Sequence, residues 1–128
     1  MIYAYDYDVL TGTPANRRIF ARLADGHFPD GAAIDDQGGY WIALIGAGAI
    51  WRFAPDGRLD RVIQTPTRIP AMVAFDGDDL ATLLLTTSRK YLPLLPPDER
   101  AREIGVAGGV FSWRSDVHGI AEPLLSFA

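Results

Sequence analysis

The tripeptide Pro-Asp-Gly occurs twice in this chain, at residues 29–31 and 55–57, and each copy carries a carboxylate that could do chemistry. Such a group can bind a hard cation, accept a proton as a general base, or merely cap a turn. Asp56 lies between two strand-like runs, which is typical of a hairpin turn. Asp30 instead precedes the small apolar run Gly-Ala-Ala-Ile, where Gly31 would let the backbone pass close to a neighbouring group. From the residues alone a turn cap is favoured for Asp30, and a metal ligand is the alternative.

The other polar motifs indicate turns rather than sites. Residues 35–39 (DDQGG) lack the spacing and the terminal Glu of an EF-hand loop. Residues 46–50 (GAGAI) lack the third glycine and the helix of a dinucleotide loop. His27 and His118 lie in different parts of the chain without a partner at metal-binding spacing, so both are predicted at the surface or in turns. No cysteine is present, which excludes thiolate ligands, and no G-x-S-x-G motif marks a serine nucleophile.

Composition narrows the classes of partner. The 128 residues carry a net charge of -4, and the basic residues are scattered, so neither nucleic acid nor an anionic membrane is expected as a partner. No apolar stretch approaches membrane-spanning length. The chain starts directly with a strand-like run instead of a secretory signal, so a cytoplasmic location is expected.

The elements that must position Asp30 are short strands. Alternating apolar and polar runs separated by Gly, Asp and Pro predict an all-β fold, and one short helix is predicted over residues 98–103. The sequence repeats itself at a spacing typical of propeller blades. We expect a half blade over residues 1–24, a complete blade over 28–66, and a second blade over 70–128 that carries an insert at 89–107. The fold class is therefore a partial β-propeller of about two and a half four-stranded antiparallel blades.

The repeated motifs also carry a family resemblance. The segments "PDGAAIDDQGGYWIALIGAGAIWRFAPDGRL", "AFDGDDLATLLLTTSR" and "AGGVFSW" resemble the C-terminal part of the gluconolactonase/regucalcin (senescence marker protein)/luciferin-regenerating enzyme family. This resemblance implies a six-bladed propeller that hydrolyses sugar lactones. It also implies one divalent metal, most often calcium, with zinc and manganese as alternatives.

Carried over residue by residue, the resemblance gives one site residue. It makes Asp30 a metal ligand and a candidate catalytic base, which reverses the preference for a turn cap. The family's Glu and Asn ligands and its substrate-contacting residues match no position here, so whether this chain alone binds the metal stays open, and no substrate-binding residue is assigned.

The function predicted is the C-terminal portion of a metal-dependent lactonase acting on a small lactone. The alternative is a non-catalytic half-propeller that serves in assembly or binding. A homodimer, or a missing N-terminal half, is expected to cover the open faces of such a fragment.

Overall fold

Nine β-strands form three antiparallel sheets in the computed structural model, which describes residues 1–123. The all-β prediction is confirmed. The first sheet pairs β1 and β2, the second has the order β3-β4-β5-β6, and the third has the order β7-β8-β9. The strands are β1 (Ile2–Asp8), β2 (Thr13–Ala21), β3 (Phe28–Ile34), β4 (Tyr40–Ile45), β5 (Ala49–Phe53), β6 (Leu59–Gln64), β7 (Pro70–Asp76), β8 (Thr82–Thr87) and β9 (Val110–Arg114).

The second sheet is packed between the other two. In β4, Ile42 and Leu44 point to one face and pack in a cluster that includes Ala21 of the first sheet. Trp41 and Ala43 alternate with them and pack on the other face, in a cluster that includes Val73, Leu83 and Leu85 of the third sheet. Because successive side chains of a strand point to opposite faces, a strand buried on both faces must be apolar throughout, as β4 is.

The turn between β1 and β2 is shorter than the sequence predicts. The segment 9–16 (VLTGTPAN), with Gly12 and Pro14, predicts a turn, but β2 already begins at Thr13. Asp8 closes the turn early by accepting hydrogen bonds from the backbone N–H groups of Leu10 (2.9 Å) and Thr11 (3.3 Å). Pro14 is tolerated in the strand because β2 has only one neighbouring strand among the described residues.

The insert between β8 and β9 contains a 3-10 turn (Leu92–Leu94) and one short helix, α1 (Pro97–Glu103). The helix prediction is confirmed, with a start one residue earlier than expected. Only Glu103 of α1 is buried, but other parts of the insert supply Leu92 and Ala107 to a third apolar cluster that contains Ile69.

The predicted division into blades is not tested by the sheets of residues 1–123. The third sheet shows three strands, and the end of the blade predicted over residues 70–128 falls on residues 124–128, outside the described part. Before that point, Gly119 forms an isolated antiparallel bridge with Asp35, which ties the segment to the second sheet. The blade count and the unit boundaries therefore stay predictions. No helix within residues 1–123 has the length and apolar character needed to cross a membrane.

Candidate functional site

Asp30 does not cap a turn. It is the third residue of β3, which begins at Phe28, and its side chain is exposed. The pairing of β3 with β4 is irregular between Pro29 and Ala32, so Asp30 lies in a bulge. Bulges redirect a side chain relative to the regular pleat, and they are over-represented next to functional sites. Among the described residues, no partner forms a hydrogen bond or ion pair with the Asp30 carboxylate, which leaves its oxygens free to bind a ligand.

Gly31 brings two sheets into close contact beside Asp30. A Cβ atom at this position would lie 2.7 Å from the Cα of Met72 and 2.8 Å from the carbonyl oxygen of Ala71. Both neighbours belong to β7, the first strand of the third sheet. Any larger residue would push the strands apart, so the glycine keeps Asp30 at the point where the first strands of two sheets meet.

Asp56 provides the contrast within the same chain. It lies in the turn between β5 and β6, is exposed, and accepts a hydrogen bond from the backbone N–H of Arg58 at 3.0 Å. Gly57 adopts a φ of 84°, a conformation that side-chain-bearing residues rarely adopt, and its N–H donates to the carbonyl of Ala54. The prediction of a hairpin turn for this copy of the tripeptide is confirmed.

The described residues place no cluster of acidic or His side chains around Asp30. Within residues 1–123, no group of three or more His, Cys, Asp or Glu side chains lies close enough together to hold an ion. Calcium takes about six to eight oxygen ligands, and one exposed carboxylate supplies at most two. The assignment of Asp30 as metal ligand and base therefore stays a prediction.

A buried ionic network lies in the second sheet, and sequence reasoning missed it. Asp35 is fully buried and accepts hydrogen bonds from Trp41 Nε1 (2.7 Å), Arg52 Nε (2.6 Å) and the backbone N–H groups of Gln37 (3.0 Å) and Gly39 (2.8 Å). Burial alone would raise the pKa of this carboxyl. The hydrogen bonds, led by that from Arg52, outweigh it and lower the pKa.

This network fixes the turn from β3 to β4 rather than providing a reactive group. The donors satisfy both oxygens of Asp35, and Arg52 also pairs with Asp60 at 2.6 Å. The predicted turn at residues 35–39 is confirmed. Asp35 and Trp41 are six residues apart in the sequence and lie on opposite sides of this tight turn. That spacing is the sequence signal that could have revealed the buried acid.

A second buried carboxylate holds the insert in place. Glu103, at the end of α1, accepts a hydrogen bond from the hydroxyl of Thr67. The backbone N–H of Arg68 donates to both carboxylate oxygens of Glu103, with N–O distances of 3.0 and 3.1 Å. The Arg68 side chain also forms an ion pair with Glu99 of the helix, at 2.8 Å. These bonds attach the insert to the segment that leads into β7.

The insert covers an apolar cavity of about 390 Å³. The cavity lies at the end of the second sheet where β3 starts and β4 finishes, the same end that carries Asp30. Its walls come from these two strands, from the segment before β7 and from the insert, through Phe28, Ile45, Gly46, Arg68, Ile69, Tyr91, Leu94 and Leu95.

The other polar residues considered do not line this cavity. Arg89 and Lys90, at the start of the insert, are exposed. His118 is exposed, and its ring contacts the carbonyl oxygen of Asp79 at 2.6 Å. His27 closes a turn, since its backbone N–H donates to the carbonyl oxygen of Ala24 at 3.3 Å, and its half-buried ring packs edge-on against Trp51 at 5.3 Å.

Comparison with known proteins agrees with this architecture. A family model described as the SMP-30/Gluconolactonase/LRE-like region matches residues 1–89. The crystal structure of a protein described as a calcium-binding protein, regucalcin, from Agrobacterium tumefaciens superposes with a TM-score of 0.83 at 28% identity. The match covers 98% of this chain and 42% of that chain. The sheets described above therefore have the β-propeller type of fold seen in regucalcin.

Two curated relatives carry names of lactonases. A 6-deoxy-6-sulfogluconolactonase of Pseudomonas putida is 44% identical over 124 residues, which cover 97% of this chain and 41% of that protein. An L-arabinolactonase of Azospirillum brasilense is 36% identical over 111 residues, which cover 86% of this chain and 35% of that protein. The chain thus spans about two fifths of the length of the relatives it matches.

Proposed function

The chain belongs to the SMP-30/gluconolactonase/LRE-like family, and we propose that it forms the C-terminal portion of a metal-dependent sugar lactonase. The substrate class is a small sugar lactone, as the names of the relatives suggest. The observation that carries the proposal is the free, exposed carboxylate of Asp30, held in a bulge where the first strands of two sheets meet.

In this proposal Asp30 contributes one ligand to a divalent metal, with calcium favoured over zinc and manganese. When bound, such an ion would polarise the lactone carbonyl and make a coordinated water more acidic. The other oxygen ligands would come from outside this chain, either from a further segment or from a second copy. Asp30 is also placed to accept a proton from a water molecule, because its oxygens have no partner among residues 1–123.

The lactonase names of the relatives support an enzyme over the non-catalytic binding module that is the alternative. Neither a homodimer nor a cytoplasmic location is tested by the fold, and both stay predictions.

The two Pro-Asp-Gly copies offer a matched test. We expect the chain alone to hydrolyse glucono-δ-lactone weakly at most in the presence of calcium, zinc or manganese. Any metal-dependent turnover should disappear in Asp30→Asn and persist in Asp56→Asn, since only the first carboxylate is free to bind an ion. In parallel, titration with Mn²⁺ should broaden the NMR signals around Asp30 and not those around Asp56.

Turnover that is unchanged in Asp30→Asn would contradict the assignment of Asp30 as metal ligand and base. Broadening by Mn²⁺ that is equal around the two aspartates would contradict it as well, because a non-specific surface carboxylate behaves in that way.

A further inference from the structure

The apolar cavity beneath the insert is separate from the carboxylate of Asp30. Asp30 does not line the cavity, although both lie at the same end of β3. The volume of about 390 Å³ falls within the range of small-molecule pockets, which are concave and mostly apolar. It is therefore large enough for a fused ring system or a branched aliphatic group.

The mouth of this cavity exposes large apolar side chains. Phe28 is 63% exposed and Leu94 is 79% exposed, and they stand on the second sheet and on the insert respectively. Solvent-exposed apolar groups of this size around a concavity normally mark a surface that binds something.

The cavity is built on fixed elements. Ile69 in its wall is 1% exposed and packs with Leu92 and Ala107 of the insert. The buried carboxylate of Glu103 holds the insert to the backbone of Arg68. Gly46 closes the turn after β4 with a φ of 86°. A preformed pocket binds at a lower entropic cost than one that must be ordered by its ligand.

Arg68 is the single charged residue among the lining residues. One nitrogen of its guanidinium pairs with Glu99, while Nε and Nη2 form no hydrogen bond to residues 1–123. A guanidinium with two free donors suits a carboxylate or sulfonate. We propose that this pocket binds a small apolar molecule that carries one anionic group, with the apolar body beneath Leu94 and the anion at Arg68.

The test uses the chain itself and 2-naphthoate as the probe, with 2-naphthalenemethanol as its neutral counterpart. We expect 2-naphthoate to bind with a dissociation constant on the order of 1 mM, given about 0.3 kcal/mol for each of its roughly 13 heavy atoms. Its NMR shift changes should map to residues 28, 45–46, 68–69 and 91–95. The neutral probe should bind about fivefold more weakly, and Arg68→Gln should remove this difference.

Leu94→Ser should weaken binding of 2-naphthoate by at least about fivefold, because the variant removes an apolar wall of the pocket. Leu10→Ser is the matched control, since Leu10 is 98% exposed in the turn between β1 and β2. Both leucines are exposed, so neither variant should unfold the chain. Binding that is unaffected by Leu94→Ser, or shift changes centred on the tyrosines of β1, would overturn the proposal.

The proposal stands apart from the lactonase function. Asp30→Asn should leave naphthoate binding unchanged, so a failed metal titration and a failed pocket titration are separate results.

Discussion

Replacement of Asp35 by Asn should destabilise this chain more than any exposed acid-to-amide change. The variant keeps the shape of the side chain but removes the charge that Arg52 faces. Arg52 is 6% exposed and would retain only Asp60, whose side chain is one-third exposed, as its anionic partner. All four hydrogen-bond partners of Asp35 are N–H donors. The amide nitrogen of the new Asn is also a donor, so it would face N–H groups that now donate to the carboxylate.

The expected cost follows from these contacts. Removing one partner of a buried ion pair costs about 3–5 kcal/mol, and the remaining bond to Asp60 places the estimate at the lower end, about 3 kcal/mol. With an unfolding entropy of roughly 2.1 cal/mol/K per residue, such a loss lowers Tm by about 11 °C in a chain of 128 residues.

Urea unfolding followed by tryptophan fluorescence gives the free energy of unfolding directly, and Asp36→Asn is the control. Asp36 is the exposed neighbour of Asp35, and its side chain forms no hydrogen bond to residues 1–123, so its variant should change the free energy by less than about 0.5 kcal/mol. A loss below about 1 kcal/mol for Asp35→Asn, or equal losses for the two variants, would refute the structural role of the network.

The same network predicts a pH dependence. The pKa of Asp35 is lower in the folded chain than in the unfolded chain, so the unfolded state binds a proton first as the pH falls. The stabilisation is therefore complete above the unfolded pKa and is lost as the pH drops through the folded pKa. In Asp35→Asn this part of the acid sensitivity should be missing.

Three further predictions concern the insert, the third sheet and assembly. Glu103→Gln should lower the free energy of unfolding in urea by about 1–3 kcal/mol and speed proteolysis within the insert, because the carboxylate oxygens of Glu103 accept from the backbone N–H of Arg68. An unchanged rate of cleavage would contradict this. Arg114 lowers the pKa of Asp79 to about 2, so stability from this pair should fall between roughly pH 4 and pH 2, and Asp79→Asn should abolish that step. Light scattering should show a dimer that Tyr5→Glu converts to a 14.0 kDa monomer, and a monomeric parent chain would refute it.

The strands could be predicted because their signals are local. The run at residues 40–45 is apolar throughout and lies between turns rich in Gly and Asp, and β4 has these bounds. The alternation of Tyr3, Tyr5 and Tyr7 with smaller residues likewise indicated β1, in which the three tyrosines are exposed and Ile2 and Ala4 are half-buried.

The ionic networks could not be predicted because their members are distant in sequence. Asp35 and Arg52 are 17 residues apart and meet only after the register of β3, β4 and β5 is set. Thr67 and Glu103 are 36 residues apart and meet only once the insert has folded back over the segment before β7. The bulge at Asp30 has the same cause, since it depends on how β3 pairs with β4 and packs against β7.

The location of Asp30 can be compared with the corresponding position in the third sheet. The third sheet begins with a strand that resembles β3, and both have irregular pairing directly after a proline, Pro29 in β3 and Pro70 in β7. Aligned on these prolines, the position of Asp30 is taken in β7 by Ala71, which has no ligand atom in its side chain. Of these two first strands, β3 has a carboxylate at this position and β7 does not. In the metal site proposed above, the further oxygen ligands that calcium requires would come from groups other than the side chains at these two positions.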